Sequence, residues 1–146
     1  MANESILSTL EEFYTSEREV WDAKLKPLFN KLRGNPQILV ELQSETLIVR
    51  QSLCDEINSS LTALIKEKLK LKKVAADRMM HWSTGSGLKY TAKEYITLIE
   101  NDLKDIMAEM ELLEAHIEHL RECRTNCDQI GYGVKNRIEM LNYTKD

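Results

Sequence analysis

Hydrophobic residues recur every three or four positions along most of this chain, which is the period of an amphipathic α-helix. The first such stretch runs from Glu4 to Phe29. The segment Gly34-Asn35-Pro36 then breaks the pattern. Glycine permits a helix C-cap, and proline disfavours the helical conformation at the residue before it. The sequence therefore predicts one helix that ends in a turn at this segment.

A second helix is predicted from Gln37 to about Met80, because no glycine or proline lies inside this stretch. At about 1.5 Å per residue it would be roughly 60 Å long, which exceeds the span of a compact domain of this size. We therefore expect it either to bend near Asn58-Ser59-Ser60 or to project as an arm. The stretch from Ser83 to Gly87 is rich in glycine and serine and predicts a loop.

A third helix is predicted to open at Thr91, with Glu94 completing a capping box. Its apolar residues step by four and three without an error, as in a coiled coil, and this seam predicts assembly with other copies of the chain. Gly131-Tyr132-Gly133 interrupts the seam as a hinge or as a point of close backbone approach. The predicted oligomerisation residues are Ile96, Ile99, Leu103, Ile106, Met110, Leu113, Ile117, Leu120, Val134, Ile138 and Leu141.

Composition agrees with an all-α fold, since only 5 glycines and 2 prolines occur in 146 residues. We divide the chain into an N-terminal helical segment (1–34), a long helix with its loop (37–90) and C-terminal oligomerisation helices (91–146). The size excludes a large multi-domain enzyme. The acidic N-terminus does not resemble a targeting signal, and no uncharged apolar run suits a membrane span. These features predict a soluble, cytoplasmic protein with reduced thiols.

Charge is segregated along the chain, although the net charge is only −4. Residues 66–93 carry a net charge of +6, and residues 94–122 carry −7. A protein with a mean pI near 5.5 therefore has one compact basic segment.

This basic segment predicts a surface for single-stranded nucleic acid. Lysines at helical spacing suit phosphates, and aromatic rings around a flexible loop suit stacked bases. Stacking of this kind requires no sequence readout, so we expect low sequence specificity. The predicted binding residues are Lys66, Lys68, Lys70, Lys72, Lys73, Arg78, His81, Trp82, Lys89 and Tyr90.

A structural interpretation of the same residues stays open. The basic and acidic segments are joined by a short loop and could pair as an antiparallel hairpin, in which case the lysines are structural. Trp82 would then be a core anchor.

Other chemistry is disfavoured by spacing. His116, His119, Cys123 and Cys127 share roughly one helix face but extend over about 16 Å, so one helix could supply only a neighbouring pair of zinc ligands. No histidine follows a glutamate by three residues, as a di-iron bundle requires. The glycines near Gly85 lack the pattern of a phosphate-binding loop. We therefore predict neither a cofactor, nor a metal, nor catalysis.

Two motifs resemble the UvsY family, the recombination mediators of T-even-type phages. One is the basic helix end Leu69-Lys70-Leu71-Lys72-Lys73 with Arg78, followed by His81-Trp82-Ser83-Thr84-Gly85. The other is the C-terminal string from Gly131 to Glu139, which is similar to the family's signature of glycine, aromatic, aliphatic, lysine and asparagine. The resemblance covers about residues 66–143; residues 1–40 match poorly, and Ile130 replaces the family's basic residue.

The resemblance implies a non-enzymatic mediator of DNA recombination, repair and replication. Such proteins form a ring-like homo-oligomer, bind single-stranded DNA and destabilise the single-strand-binding protein on it. They then load the strand-exchange recombinase. If the chain is phage-encoded, its location would be the host cell cytoplasm. The alternative is a coiled-coil adaptor or chaperone that binds only protein.

Overall fold

The computed structural model describes residues 2–85 and 87–144, and within these residues the regular structure is entirely helical. The all-α prediction is therefore confirmed. The three long helices are α1 (Ala2–Asn30), α2 (Pro36–Met80) and α3 (Ala92–Thr144). A 3-10 turn lies at Lys31–Arg33 and a π-helical turn at His81–Gly85. Helix α2 begins one residue before its predicted start.

The first turn is built from the residues that the sequence singled out. The Asn35 side-chain oxygen accepts a hydrogen bond of 2.9 Å from the backbone N–H of Ile38, which caps α2. Pro36 occupies the first turn of the helix, where its missing N–H costs nothing. At Gly34, an added Cβ would lie 2.5 Å from Cγ2 of Ile38, so the turn is too tight for a side chain.

The main core lies where the C-terminal half of α1, the N-terminal half of α2 and the C-terminal half of α3 meet. Helix α2 runs antiparallel to the other two. The buried residues of the main core are Trp21, Leu25, Leu28, Leu39, Leu42, Leu53, Ile57, Leu120, Cys123, Cys127, Ile130 and Val134. A smaller cluster of Leu64, Leu113 and Ile117 extends the core, with Tyr14 and Met110 packed against it. We call this three-helix part the base.

Beyond the smaller cluster, α2 and α3 continue as an antiparallel pair that we call the arm: residues 66–85 and 87–109. Helix α2 passes through Asn58–Ser60 without a break in its helical structure. Leu103 is buried in the arm, whereas most arm residues of α2 are exposed. The arm is therefore thin and offers a large surface relative to its core.

Helix α3 also continues through Gly131-Tyr132-Gly133. A Cβ at Gly133 would lie 3.0 Å from Cδ2 of Leu32, whereas one at Gly131 would meet nothing within 4 Å. The interpretation as close approach therefore applies to Gly133, and the chain does not hinge here.

The predicted oligomerisation seam is largely used inside the chain. Five members, Leu103, Leu113, Ile117, Leu120 and Val134, are buried. Five more, Ile99, Ile106, Met110, Ile138 and Leu141, are partly buried, and Ile96 is 54% exposed. The clusters that hold most of them are completed by α1 and α2 of the same chain. A role in joining copies of the chain stays a prediction, because most of these side chains already have partners.

No helix among the described residues contains an apolar stretch long enough to cross a membrane.

Candidate nucleic-acid interface

Two stripes of lysine run along the exposed part of α2. Helical spacing places Lys66, Lys70 and Lys73 on one side and Lys68 and Lys72 on the other. All five side chains are exposed. Leu69 lies between the stripes and is 61% exposed. The outer surface of the arm is thus basic on both flanks of an apolar ridge.

The acidic part of α3 does not neutralise these lysines by direct pairing. Within the described residues, no ion pair of 4.0 Å or less involves Lys66, Lys68, Lys70, Lys72, Lys73 or Lys89. The predicted basic and acidic segments do pack as an antiparallel hairpin, but through apolar contacts and a few polar ones. The charges of the two lysine stripes therefore face solvent.

Lys70 lies in acidic surroundings where the arm joins the base. It lies near Glu109, whose pKa is raised by burial and by the charge of Glu67, while Lys70 acts in the opposite direction. Tyr14 of α1 borders the same two carboxyl groups, and its pKa is likewise raised by burial and by their charges. Lys70 and Tyr14 therefore lie beside the partly buried residues Glu67 and Glu109, where the arm meets α1.

Asp102 of α3 holds the tip of the arm. Its Oδ2 accepts a hydrogen bond of 2.6 Å from the indole N–H of Trp82 and lies 3.9 Å from Nε of Arg78. The Asp102 side chain is 23% exposed and that of Arg78 is 48% exposed. Arg78 is therefore partly engaged within the chain. The hydrogen bond to Asp102 fixes the orientation of Trp82, which is partly buried and belongs to neither core cluster.

Three aromatic rings cluster at the tip. The ring centroids of His81 and Trp82 are 4.8 Å apart and those of Trp82 and Tyr90 are 5.7 Å apart, both in edge-to-face geometry. His81 is exposed, while Trp82 and Tyr90 are partly buried. Trp82 is the central ring and contacts both others. The tip thus presents a preformed aromatic group of which His81 is the most accessible member.

Local hydrogen bonds shape the connection between α2 and α3. The Tyr95 hydroxyl donates to the carbonyl of Met79 at 2.9 Å, and the Thr84 hydroxyl donates to the carbonyl of Met80 at 2.8 Å.

Gly87 has a φ of 72°, a conformation that favours glycine. The Thr91 hydroxyl accepts from the N–H of Glu94 at 3.2 Å and caps α3. Ser86 of the predicted loop lies outside the described residues.

The structure brings Trp82, His81, Tyr90 and Arg78 together and leaves the lysines spread along the helix. It also adds residues that the sequence analysis did not list. Lys93 lines a shallow open groove beside Tyr90, and it belongs to the +6 segment, so charge counting could have included it. Asp102 carried no such signal, because its contact with Trp82 depends on the pairing of α2 with α3.

No protein-family model matches this chain, and no match was found among curated proteins or solved structures.

Proposed function

We propose that this protein binds single-stranded DNA along its arm and acts, without catalysis, as a recombination mediator. The observation that supports the binding most strongly is the pair of exposed lysine stripes, which have no ion-pair partner among the described residues, on the helix that leads to the aromatic tip. Lysines attract phosphates through charge, and rings stack on bases of any identity. The arm carries exposed lysines and aromatic rings on the same helical hairpin.

The more specific part of the proposal rests on the resemblance to the UvsY family over residues 66–143. A mediator of this kind would destabilise single-strand-binding protein on DNA and help load a strand-exchange recombinase. It would act as a ring-like homo-oligomer, in which repeated weak sites give avidity without tight individual contacts.

The direct test compares two double variants that remove the same charge. Lys68→Ala with Lys72→Ala removes one stripe of the arm, and Lys26→Ala with Lys135→Ala removes two exposed lysines from the base. Binding of a fluorescent oligothymidylate is followed by anisotropy as a function of salt. For single strands the slope of log affinity against log salt is about −0.7 per phosphate contact, so the arm variant should lose about 1.4 in slope.

The same relation predicts a weakening of about 25-fold at 0.1 M salt that vanishes near 1 M. The base variant should keep the wild-type slope. Equal slopes for the arm variant and the wild type would contradict a binding surface on the arm, and equal losses for both variants would indicate unspecific attraction.

The second candidate is a protein adaptor, and one observation favours it. Large apolar side chains are exposed on the arm itself, among them Leu69 at 61%, Met80 at 69% and Leu88 at 64%. Such a surface suits a partner protein. An adaptor of this kind should show no polynucleotide binding at physiological salt, so the wild-type titration separates the two functions.

A further inference from the structure

Three side chains from two helices converge near the middle of the base. Asp22 comes from α1, and His119 and Cys123 come from successive turns of α3. The ligand atoms of all three lie within 4.8 Å of one another. The cluster lies outside the arm and plays no part in the proposed DNA binding.

Both short contacts in this cluster involve the same atom, Nε2 of His119. It lies 3.4 Å from Oδ1 of Asp22 and 3.5 Å from Sγ of Cys123. A catalytic relay would place the two partners on opposite ring nitrogens, with the carboxylate at Nδ1. Here one nitrogen faces both, and a neutral ring nitrogen carries either one proton or one lone pair. One N–H or one lone pair on Nε2 must be shared between the two contacts or serve only one of them, whereas a cation among the three atoms would bind all three.

The two distances are those of a tetrahedral zinc site. Zinc bonds measure about 2.3 Å to sulfur, 2.0–2.1 Å to nitrogen and 2.0–2.2 Å to oxygen. Tetrahedral angles then separate sulfur from nitrogen by about 3.5 Å and nitrogen from oxygen by about 3.4 Å. The chain therefore already holds the sulfur–nitrogen and nitrogen–oxygen edges of such a tetrahedron. The third edge, between the Asp22 oxygen and the Cys123 sulfur, is held only to within 4.8 Å, against about 3.6 Å in the tetrahedron, so the exposed Asp22 side chain must move inward to complete the site.

The donor set also selects the ion. Thiolate and imidazole are soft or borderline ligands that favour zinc and its neighbours over magnesium and calcium. Cys123 is 1% exposed, whereas the Asp22 side chain is 65% exposed, so the cluster opens to solvent on the carboxylate side. We propose that Asp22, His119 and Cys123 bind one zinc ion that joins α1 to α3, with water as the fourth ligand.

The sequence pattern predicts no metal, because the histidines and cysteines of α3 extend over about 16 Å along one helix. The packing of α1 against α3 adds Asp22 as a ligand from a second helix. Binding would replace the thiol proton of Cys123, which passes to solvent as the zinc–sulfur bond forms. Because the ion binds only where both helices are in place, it should raise the thermal stability of the fold.

Cobalt(II) is the probe for the test, because it occupies zinc sites and reports a bound thiolate through a charge-transfer band. The full chain, stripped of metal and kept reduced, is titrated with cobalt and then with zinc. We expect one equivalent of cobalt, a thiolate band, displacement by zinc and a higher melting temperature with zinc. Cys123→Ser should abolish the band.

Cys127→Ser is the matched control. Cys127 is also 1% exposed, and burial raises the pKa of each thiol to about 11, yet Cys127 lies outside the cluster. This variant should keep the band.

Cys123→Ser alters the core and could unfold the protein. Asp22→Asn is a second test of the site that avoids this problem, because the Asp22 side chain is exposed. It should retain the band but bind cobalt more weakly, by more than the roughly 10–100-fold lost with an outer-shell partner. The proposal is overturned if the wild type shows no band, if the band survives in Cys123→Ser, or if Asp22→Asn binds as tightly as the wild type. None of these readouts depends on DNA binding.

Discussion

His116 is a buried histidine that packs between α1 and α3. Its ring stacks on Tyr14 with centroids 4.7 Å apart, and the residue is 2% exposed. Its Nδ1 has no hydrogen-bond partner in the part of the chain that the structure describes. Burial lowers the pKa of His116, Arg18 and His119 lower it further, and Glu17 opposes them. The fold therefore prefers the neutral ring.

This preference predicts how stability depends on pH. A depressed folded-state pKa stabilises the fold above the unfolded pKa of about 6.5, and this contribution is lost as the pH falls through the folded-state value. His116→Gln cannot gain a proton, so its free energy of unfolding should fall less than that of the wild type between pH 7 and pH 5. Within the affected window the difference is at most about 1.4 kcal/mol per pH unit.

Urea unfolding at several pH values measures this effect. His81→Gln is the control, since His81 is exposed at the tip of the arm. It should leave the pH dependence of the wild type unchanged. Parallel curves for His116→Gln and the wild type would show that His116 does not govern acid sensitivity.

The sequence predicts the roles of some residues but not of others. The roles of Asn35, Pro36 and Thr91 follow from local chemistry, because a cap or a turn involves residues three or four positions apart. The contact of Asp102 with Trp82 and that of Asp22 with His119 depend on the register between helices. Side-chain pattern alone does not set this register, so neither contact was predicted.

At the scale of elements, the two glycines in α3 provide a matched pair. Gly131 lies inside the helix with open space around it, whereas Gly133 approaches Leu32. Gly131→Ala should therefore stabilise the protein by about 0.4–1 kcal/mol through helix propensity and lower unfolded-state entropy.

Gly133→Ala should gain less or destabilise, because Leu32 must shift to admit the new methyl group. Chemical denaturation of both variants measures the difference. Equal stabilisation by both substitutions would mean that the close approach of Leu32 to α3 does not constrain the fold.

The helix pattern was predictable and its partners were not. The period of three and four along α3 indicates a helix with one buried face, but it does not tell whether the neighbour belongs to the same chain or to another copy. In the structure, Leu113 and Ile117 pack with Leu64 of α2 in the same chain. A three-helix base and an intermolecular seam have the same signature in a single sequence.

At the scale of the whole molecule, the base and the arm carry different features. The base contains the main core and the proposed zinc ligands, while the arm carries the lysine stripes and the aromatic tip. If copies assemble, they must use surfaces that the fold leaves exposed, since most of the seam is occupied. Candidates in the base are Phe13 and Val20 on α1, and Leu47 and Ile48 on α2, which are 46–68% exposed.

The most direct test of the account is the native mass of this 146-residue chain in solution with and without a short oligothymidylate. One chain has a mass of 16.9 kDa. We predict a particle of several chains whose mass increases by that of the bound oligonucleotide at physiological salt. A particle of one chain that gains no mass in the presence of the oligonucleotide would contradict both the assembly and the DNA-binding function.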